Sequence, residues 1–410
     1  MLAWLLIGGG IHGTHIAHVL TATGMVASNQ IRVLDPLGEP LVRWNRLTSN
    51  TGMEFMRSPS VHHLGVEADE LNQFSRTPYG IGYREFRYPY GRPAYDLFQA
   101  HNRYLVQQHR LDRLWLRGTA LRLHKRMYGW AVETNQGKLS AQRILLALGR
   151  TDLVWPAWSG VLRMATDMAP DTVPNAAPIH HLFEESFVIR SLPPWRHLVV
   201  VGGGISAAQA TCFLRERASR DGFDGRVTLL TRHPIRKTHF DSAPCWNGPK
   251  CLTKFHHTTD YTQRRAQIAE GRYRGTVPHD VMRVVERHCK QETLHLRQDQ
   301  VIAAQLLPPQ PEALPEIGLQ LASGATINTD RIILATGFEQ GRPGGDLIDK
   351  AIAIYGLRCA PCGYPIVDPQ LQWCDGLHVT GPLAELELGA TAPNIRGARM
   401  AAERLRVASL

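Results

Sequence analysis

Short continuous apolar runs, each closed by small residues, punctuate this chain. They are Trp4-Leu5-Leu6-Ile7, Ile144–Leu148, Val199–Val201 with the flanking His197-Leu198, and Ile332–Ala335. Unbroken apolar runs of this length, rather than alternating ones, predict strands buried on both faces, as in parallel sheets. After the first and third runs comes a glycine-rich turn. A helix-like stretch follows in each case, His15–Thr23 and Ala208–Arg217, and then a second strand, Ile31–Asp35 and Arg226–Arg232. Strand, turn, helix, strand, occurring twice, predicts an α/β fold with two Rossmann-like domains.

The two turns carry the first chemistry. Gly8, Gly10 and Gly13 form G-x-G-x-x-G, and the next strand ends in Asp35. Gly8 permits the tight turn, Gly10 lets backbone approach a pyrophosphate, and Gly13 lets the helix lie close on the strand. The helix start, Ile11 and His12, offers free N–H groups, and Asp35 is placed to accept from ribose hydroxyls. The side chains of His12 and His15 are expected on the helix surface. In the second turn Gly202, Gly204, Ile205, Ser206 and Ala207 repeat the pattern, with Ala207 at the third glycine position. Here the strand ends in Thr231-Arg232. An acid would repel a 2′-phosphate, whereas Arg232 pairs with one, and Arg236 and Lys237 add charge. FAD in the first turn and NADPH in the second is the economical reading.

Two further segments share a pattern: Ala147-Leu148-Gly149 and Ala335-Thr336-Gly337 each end an apolar strand. Such exits let backbone pass close to a cofactor or cross between domains, so Gly149, Thr336 and Gly337 join the expected cofactor contacts. Near the end, Thr380-Gly381 closes a strand, and Leu388 and Gly389 precede a helix over Pro393–Leu405 whose start can face a flavin ring.

Composition narrows the picture. The chain has 410 residues, with 43% hydrophobic and 20% charged positions, enough for two or three domains. No apolar stretch approaches the roughly 18–20 residues of a membrane span. Met1–Ile7 lacks a positive n-region and runs into Gly8, so it reads as a strand of a cytoplasmic protein rather than a signal peptide. The net charge is +10, carried mostly by Arg. Without a long basic run or a nucleic-acid module, the expected anionic partners are dinucleotides and not nucleic acid. Seven Cys do not make a secreted disulfide framework.

In the order Gly8/Gly10/Gly13, Ala147–Gly149, Gly202/Gly204/Ala207, Ala335–Gly337 and Thr380-Gly381, the chain resembles the two-dinucleotide-binding-domain flavoproteins. The resemblance covers nearly the whole chain. It implies an FAD-binding domain of residues 1–193 and 335–410, with an NADPH-binding domain, 194–334, inserted in it. Within that superfamily it is similar to the flavin-dependent monooxygenases of the N-hydroxylating type. Trp44 to Ser58, ending in Met56-Arg57-Ser58, looks like that group's segment beside the flavin, with Arg57 where Gln is usual. Asp241–Asn247 looks like its Asp-x-Ser-Pro-Phe-x-Asn segment, with Asn247 near the reaction centre, and Tyr88–Tyr104 resembles its substrate-facing region. Gly248 stands where that group has Glu, Glu385–Gly389 lacks its Leu-Leu-Ser ending, and Ile179-His180-His181 is a degenerate form of a related signature. The resemblance implies an enzyme in which FAD takes hydride from NADPH and, through a C4a-peroxyflavin, passes one oxygen of O2 to a small nucleophilic substrate. Asn247 and Arg57 are the expected catalytic residues, Trp44 and Met56 cofactor contacts, and a homo-oligomer is left open.

The cysteines support rival readings. Cys359-Ala360-Pro361-Cys362 is a C-x-x-C that suits a flavin-dependent disulfide reductase. A non-catalytic dinucleotide-binding redox sensor is a third reading. Cys359, Cys362, Cys374 and His378 have loosely zinc-like spacing, and Cys245, Cys251, His256 and His257 a weaker one. Plain structural thiols with no bound metal are the expected state, with Cys212 and Cys289 in helix packing.

Overall fold

The computed structural model describes residues 1–167, 177–308 and 316–408. Its centre is the strand Leu2–Ile7, where Trp4, Leu5 and Leu6 have no exposure at all. This strand pairs in parallel with Ile31–Asp35 on one side and Gly137–Leu146 on the other. Trp115–Arg117 extends the sheet beyond Ile31–Asp35. An antiparallel meander, Ala120–Arg126 and Gly129–Thr134, leads into Gly137–Leu146. On the opposite flank, Leu377–Val379 pairs in parallel with Gly137–Leu146. The first sheet is therefore completed by residues more than 200 positions downstream.

Between those visits the chain builds a second sheet, all parallel, in the order His295–Gln298, Arg226–Thr231, His197–Val201, Arg331–Leu334, Ile179–His181. It repeats the local order of the first. In both, the strand before the glycine turn is central, the strand after the first helix lies on one side, and the strand ending in small residues lies on the other. A three-stranded antiparallel sheet, Val301–Leu306, Ile317–Leu321 and Thr326–Thr329, packs Leu319 and Leu321 with Val199 and Ile332 of the second sheet.

The second unit starts earlier than residue 194. Ile179–His181 pairs with Arg331–Leu334, and Leu182, Phe187, Ile189 and Leu192 are buried in the core beneath the second sheet. The expected limit at 193/194 lies between the turn Ile189–Ser191 and the strand His197–Val201, so it leaves out Ile179–His181, because a three-residue strand leaves almost no periodic trace in sequence. Cys212 and Cys289 sit on the helices Ile205–Asp221 and His279–Lys290, which pack together as expected. Among the described residues no helix is long and apolar enough to cross a membrane.

Candidate functional site

The first glycine turn is built by close approach. Gly8 has φ +110°, and a Cβ on it would lie 2.5 Å from the Ala147 carbonyl oxygen; a Cβ on Gly13 would lie 1.9 Å from the oxygen of Gly8. Both positions exclude any side chain. Gly10 differs, because a Cβ there would meet nothing within 4 Å. It is the N-cap of the helix Ile11–Ala22 and provides no side-chain cap, so the first-turn amides are left for a ligand. Gly8, Gly10, Ile11 and His12 line a cavity of about 1190 Å3. Asp35 lies at its edge, where one carboxylate oxygen accepts from Gly9 N at 2.7 Å and the other from Leu37 N at 2.9 Å. These bonds fix the carboxylate at the strand end.

Trp44 and Gly149 also line the cavity, and part of its wall is made by both units. Arg57, His62 and Arg396 of the first unit and Asp241 and Asn247 of the second line it there, and Gly381 lies near the helix start. Arg57 also ties the units together. Its Nε donates to the His239 carbonyl at 2.9 Å and its Nη2 to Thr276 Oγ1 at 2.7 Å and the Thr238 carbonyl at 3.3 Å. Burial lowers the pKa of Arg57, and nearby Asp241 opposes that shift. Asn247 ends a short turn, Pro244–Asn247, and its carbonyl accepts from Arg396 Nε at 3.2 Å.

His12 and His15 are not on the helix surface. The helix Ile11–Ala22 is covered by the sheet on one side and by the C-terminal helix Ile395–Ala408 and the His62–Gly65 segment on others, so both residues are buried. His12 Nδ1 and Thr380 Oγ1 are hydrogen-bonded at 2.9 Å, and burial pushes the His12 pKa down to about 4. His15 pairs with the Leu64 carbonyl and is pushed down to about 3.

Other expected contacts lie off this cavity. Met56 is buried in a cluster with Ile11 and Phe98 rather than in the wall. Leu388 is fully buried, and a Cβ on Gly389 would lie 2.6 Å from the Trp246 ring, so this pair packs behind the site while Thr391 and Asn394 reach it. Thr336 Oγ1 donates to the Val154 carbonyl at 2.6 Å, and Val154 N donates to the Gly337 carbonyl. The two strand exits therefore cross and bind each other, and Phe338 beyond them enters the cavity wall. Nothing local in the sequence marks Phe338, His62 or Arg396; their roles arise from chain crossings.

The second turn repeats the cradle. A Cβ on Gly202 would lie 2.6 Å from the Ala335 carbonyl oxygen and 3.1 Å from Ala207 Cβ. Gly204 caps the helix Ile205–Asp221 without a side-chain bond, so the amides over Ile205-Ser206-Ala207 are again available. Thr231 ends the next strand in the core, and Arg232 follows it, exposed. Arg236 lies over the Tyr273 ring, and Lys237 pairs with Glu286.

The cysteines take other places. Cys245 and Cys251 form a disulfide, which removes them from the weaker metal set, and His256 Nε2 bonds the Glu387 carbonyl. His378 packs against Trp4. Among the described residues no three metal-binding side chains come together. Cys359 and Cys362 are free thiols, half-buried and exposed, and neither lines the cavity.

No protein-family model matches the chain, and no curated protein matches it in sequence. Solved structures do match it in fold. A cadaverine monooxygenase of Erwinia amylovora, DfoA, bound to FAD, has a TM-score of 0.72 at 15% identity, over 99% of this chain and 94% of that one. The ornithine N-hydroxylase KtzI of Kutzneria, with reduced FAD, NADP+ and L-ornithine, has 0.72 at 13%, over 100% and 99%. The bacillithiol disulfide reductase of Staphylococcus aureus has 0.57 at 12%, over 99% and 97%. The chain has the fold of two-dinucleotide-binding-domain flavoproteins.

Proposed function

We propose that this protein is an FAD-dependent, NADPH-consuming monooxygenase acting on a small nucleophilic substrate, with nitrogen as the favoured nucleophile. One observation carries the reading. A single cavity joins the first glycine cradle to Asn247, on a segment of the second unit. The cradle fits a dinucleotide because Gly10 opens into the cavity, the helix amides are uncapped and Asp35 is oriented at the strand end. Two solved structures with higher TM-scores than the disulfide reductase are a cadaverine monooxygenase and an ornithine N-hydroxylase, which supports an amine substrate.

Gly8, Gly10 and the first-turn amides would hold the FAD pyrophosphate, and Asp35 its ribose. Trp44 and Gly149 would flank the rest of the cofactor. The Gly202–Ala207 turn would hold NADPH, with Arg232 on the 2′-phosphate. Held there, FAD would supply the redox chemistry: acceptance of hydride from NADPH and transfer of one oxygen of O2 to the substrate. Arg57 fixes the seam that brings the second unit over the cavity, and Asn247, in the cavity wall, would contact the substrate. Buried His12, neutral above about pH 4, adds no charge beside the phosphates. A cytoplasmic location, with its NADPH supply, suits this reading.

The test is steady-state NADPH oxidation by the purified protein with FAD, with and without cadaverine, ornithine and lysine, with product identified by mass. Substrate-dependent gain of one oxygen atom is the expected result. NADPH oxidation coupled only to disulfide reduction, or none at all, would overturn the proposal.

A further inference from the structure

A second, smaller cavity of about 360 Å3 lies on the seam between the units. Arg87 and Arg92 of the first unit face Lys237, His239, Asp280 and Arg283 of the second. Some of the charge is already balanced. Asp280 Oδ2 accepts from Arg87 Nη1 at 2.7 Å and from Arg92 Nη2 at 2.5 Å, and Lys237 pairs with Glu286. Arg92 and Asp280 are at least nine-tenths buried, so the floor is a built feature and not a chance surface cluster. Four cations against two carboxylates leave two positive charges in excess. Arg283 is in none of these pairs and stands exposed at the rim.

Other features point the same way. His279 and Asp280 open the helix His279–Lys290, so its positive dipole end adds to the field. Burial pushes the pKa of the neighbouring His239 down, and His279, Arg92 and Arg57 push it further, opposed by Asp280; the surroundings resist another cation. The volume exceeds that of a bare oxyanion, and Tyr88 with Pro89 offers an apolar face for an attached organic group.

We propose that this seam cavity binds a small phosphoryl dianion, held by Arg87, Lys237 and Arg283. Two spare positive charges match one dianion, and guanidinium forks suit phosphoryl oxygens. The source is either inorganic phosphate or a phosphorylated metabolite. Such a ligand would bridge the units on one face of the segment whose Thr238 and His239 carbonyls are held by Arg57. The proposal does not depend on the oxidoreductase reading, because its readout is binding.

The test is calorimetric titration of the full chain, alone and again with FAD and NADP+ added, using inorganic phosphate and then glycerol phosphate at ionic strength held constant with chloride. One saturable site is expected. Arg283→Glu should weaken it by about ten-fold or more and Lys237→Gln by several-fold, as for lost charge-assisted contacts, with unchanged circular dichroism. Both positions are exposed, so the fold should survive. Tighter binding of glycerol phosphate would identify a phosphorylated metabolite as the source, and tighter binding of phosphate would identify the free ion. Absence of a saturable site, or binding that neither substitution changes, would overturn the proposal.

Discussion

Arg57 Nη2 and Thr276 Oγ1 lie 2.7 Å apart, joining a wall of the large cavity to the second unit, 219 residues further along the chain. With the bonds to the Thr238 and His239 carbonyls, one guanidinium holds the seam. Arg57→Ala should lower stability by about 1.5–3 kcal/mol, the range for hydrogen bonds to charged groups. It should also slow reduction of FAD by NADPH, while Arg57→Lys restores only part of either. Chemical denaturation and anaerobic stopped-flow absorbance read the two effects.

The glycines of the first turn should separate by role. Gly13→Ala places a Cβ 1.9 Å from a backbone oxygen and should prevent or badly destabilise folding. Gly10→Val meets no protein atom within 4 Å of its Cβ and should keep the fold while lowering retained FAD. Thermal melts and the flavin-to-protein ratio distinguish the two. Equal melting losses in both variants would contradict the assignment of Gly10 to the ligand.

Arg232→Ala should raise the KM for NADPH by about ten-fold or more, as loss of a charge-assisted hydrogen bond implies. KM for NADH should change little. Steady-state kinetics with both nucleotides check this, and an unchanged preference would remove Arg232 from the 2′-phosphate.

The protein should be acid-labile. Burial depresses His12, His18 and His378 to about 4, and His15 and His63 to about 3. Each binds a proton more readily unfolded, near pH 6.5, than folded. Their contribution to stability is fully present above about pH 6.5 and declines as pH falls toward 4, at up to about 1.4 kcal/mol per pH unit for each residue. Denaturant midpoints measured from pH 8 down to pH 5 should be flat at first and then fall steeply. A flat profile throughout would contradict the burial of these rings.

Thiol counting tests the cysteine assignments. The denatured, unreduced protein should react with alkylating reagent at five thiols, Cys212, Cys289, Cys359, Cys362 and Cys374, leaving Cys245 and Cys251 linked. Reduction beforehand should expose all seven. Seven reactive thiols without reduction would remove the disulfide.

What could be read from sequence was what is local. Gly8, Gly10, Gly13 and Asp35 declare themselves because backbone sterics and strand ends act over a few residues. The same holds for Gly202, Gly204 and Ala207. The burial of His12 and His15 could not be read, because their partners are distant in sequence: His15 meets Leu64, 49 residues on, and His12 meets Thr380, 368 residues on, with the helix Ile395–Ala408 packed over theirs. The acceptors of Arg57 lie about 180 to 220 residues away. Leu388 and Gly389 are expected at a flavin-facing helix start, but Leu388 is fully buried and Gly389 packs against the Trp246 ring. The Cys245–Cys251 disulfide was hidden by composition, since seven cysteines in a long chain suggest no framework.

We propose that the two cradles hold FAD and NADPH so that one reduces the other. Anaerobic titration of the FAD-reconstituted protein with NADPH, followed by visible absorbance, tests it most directly. Stoichiometric loss of the flavin band with NADPH, far slower loss with NADH, and return of the band on admitting air are the expected results. A protein that takes up no FAD, or whose bound flavin NADPH leaves fully oxidised, would contradict it.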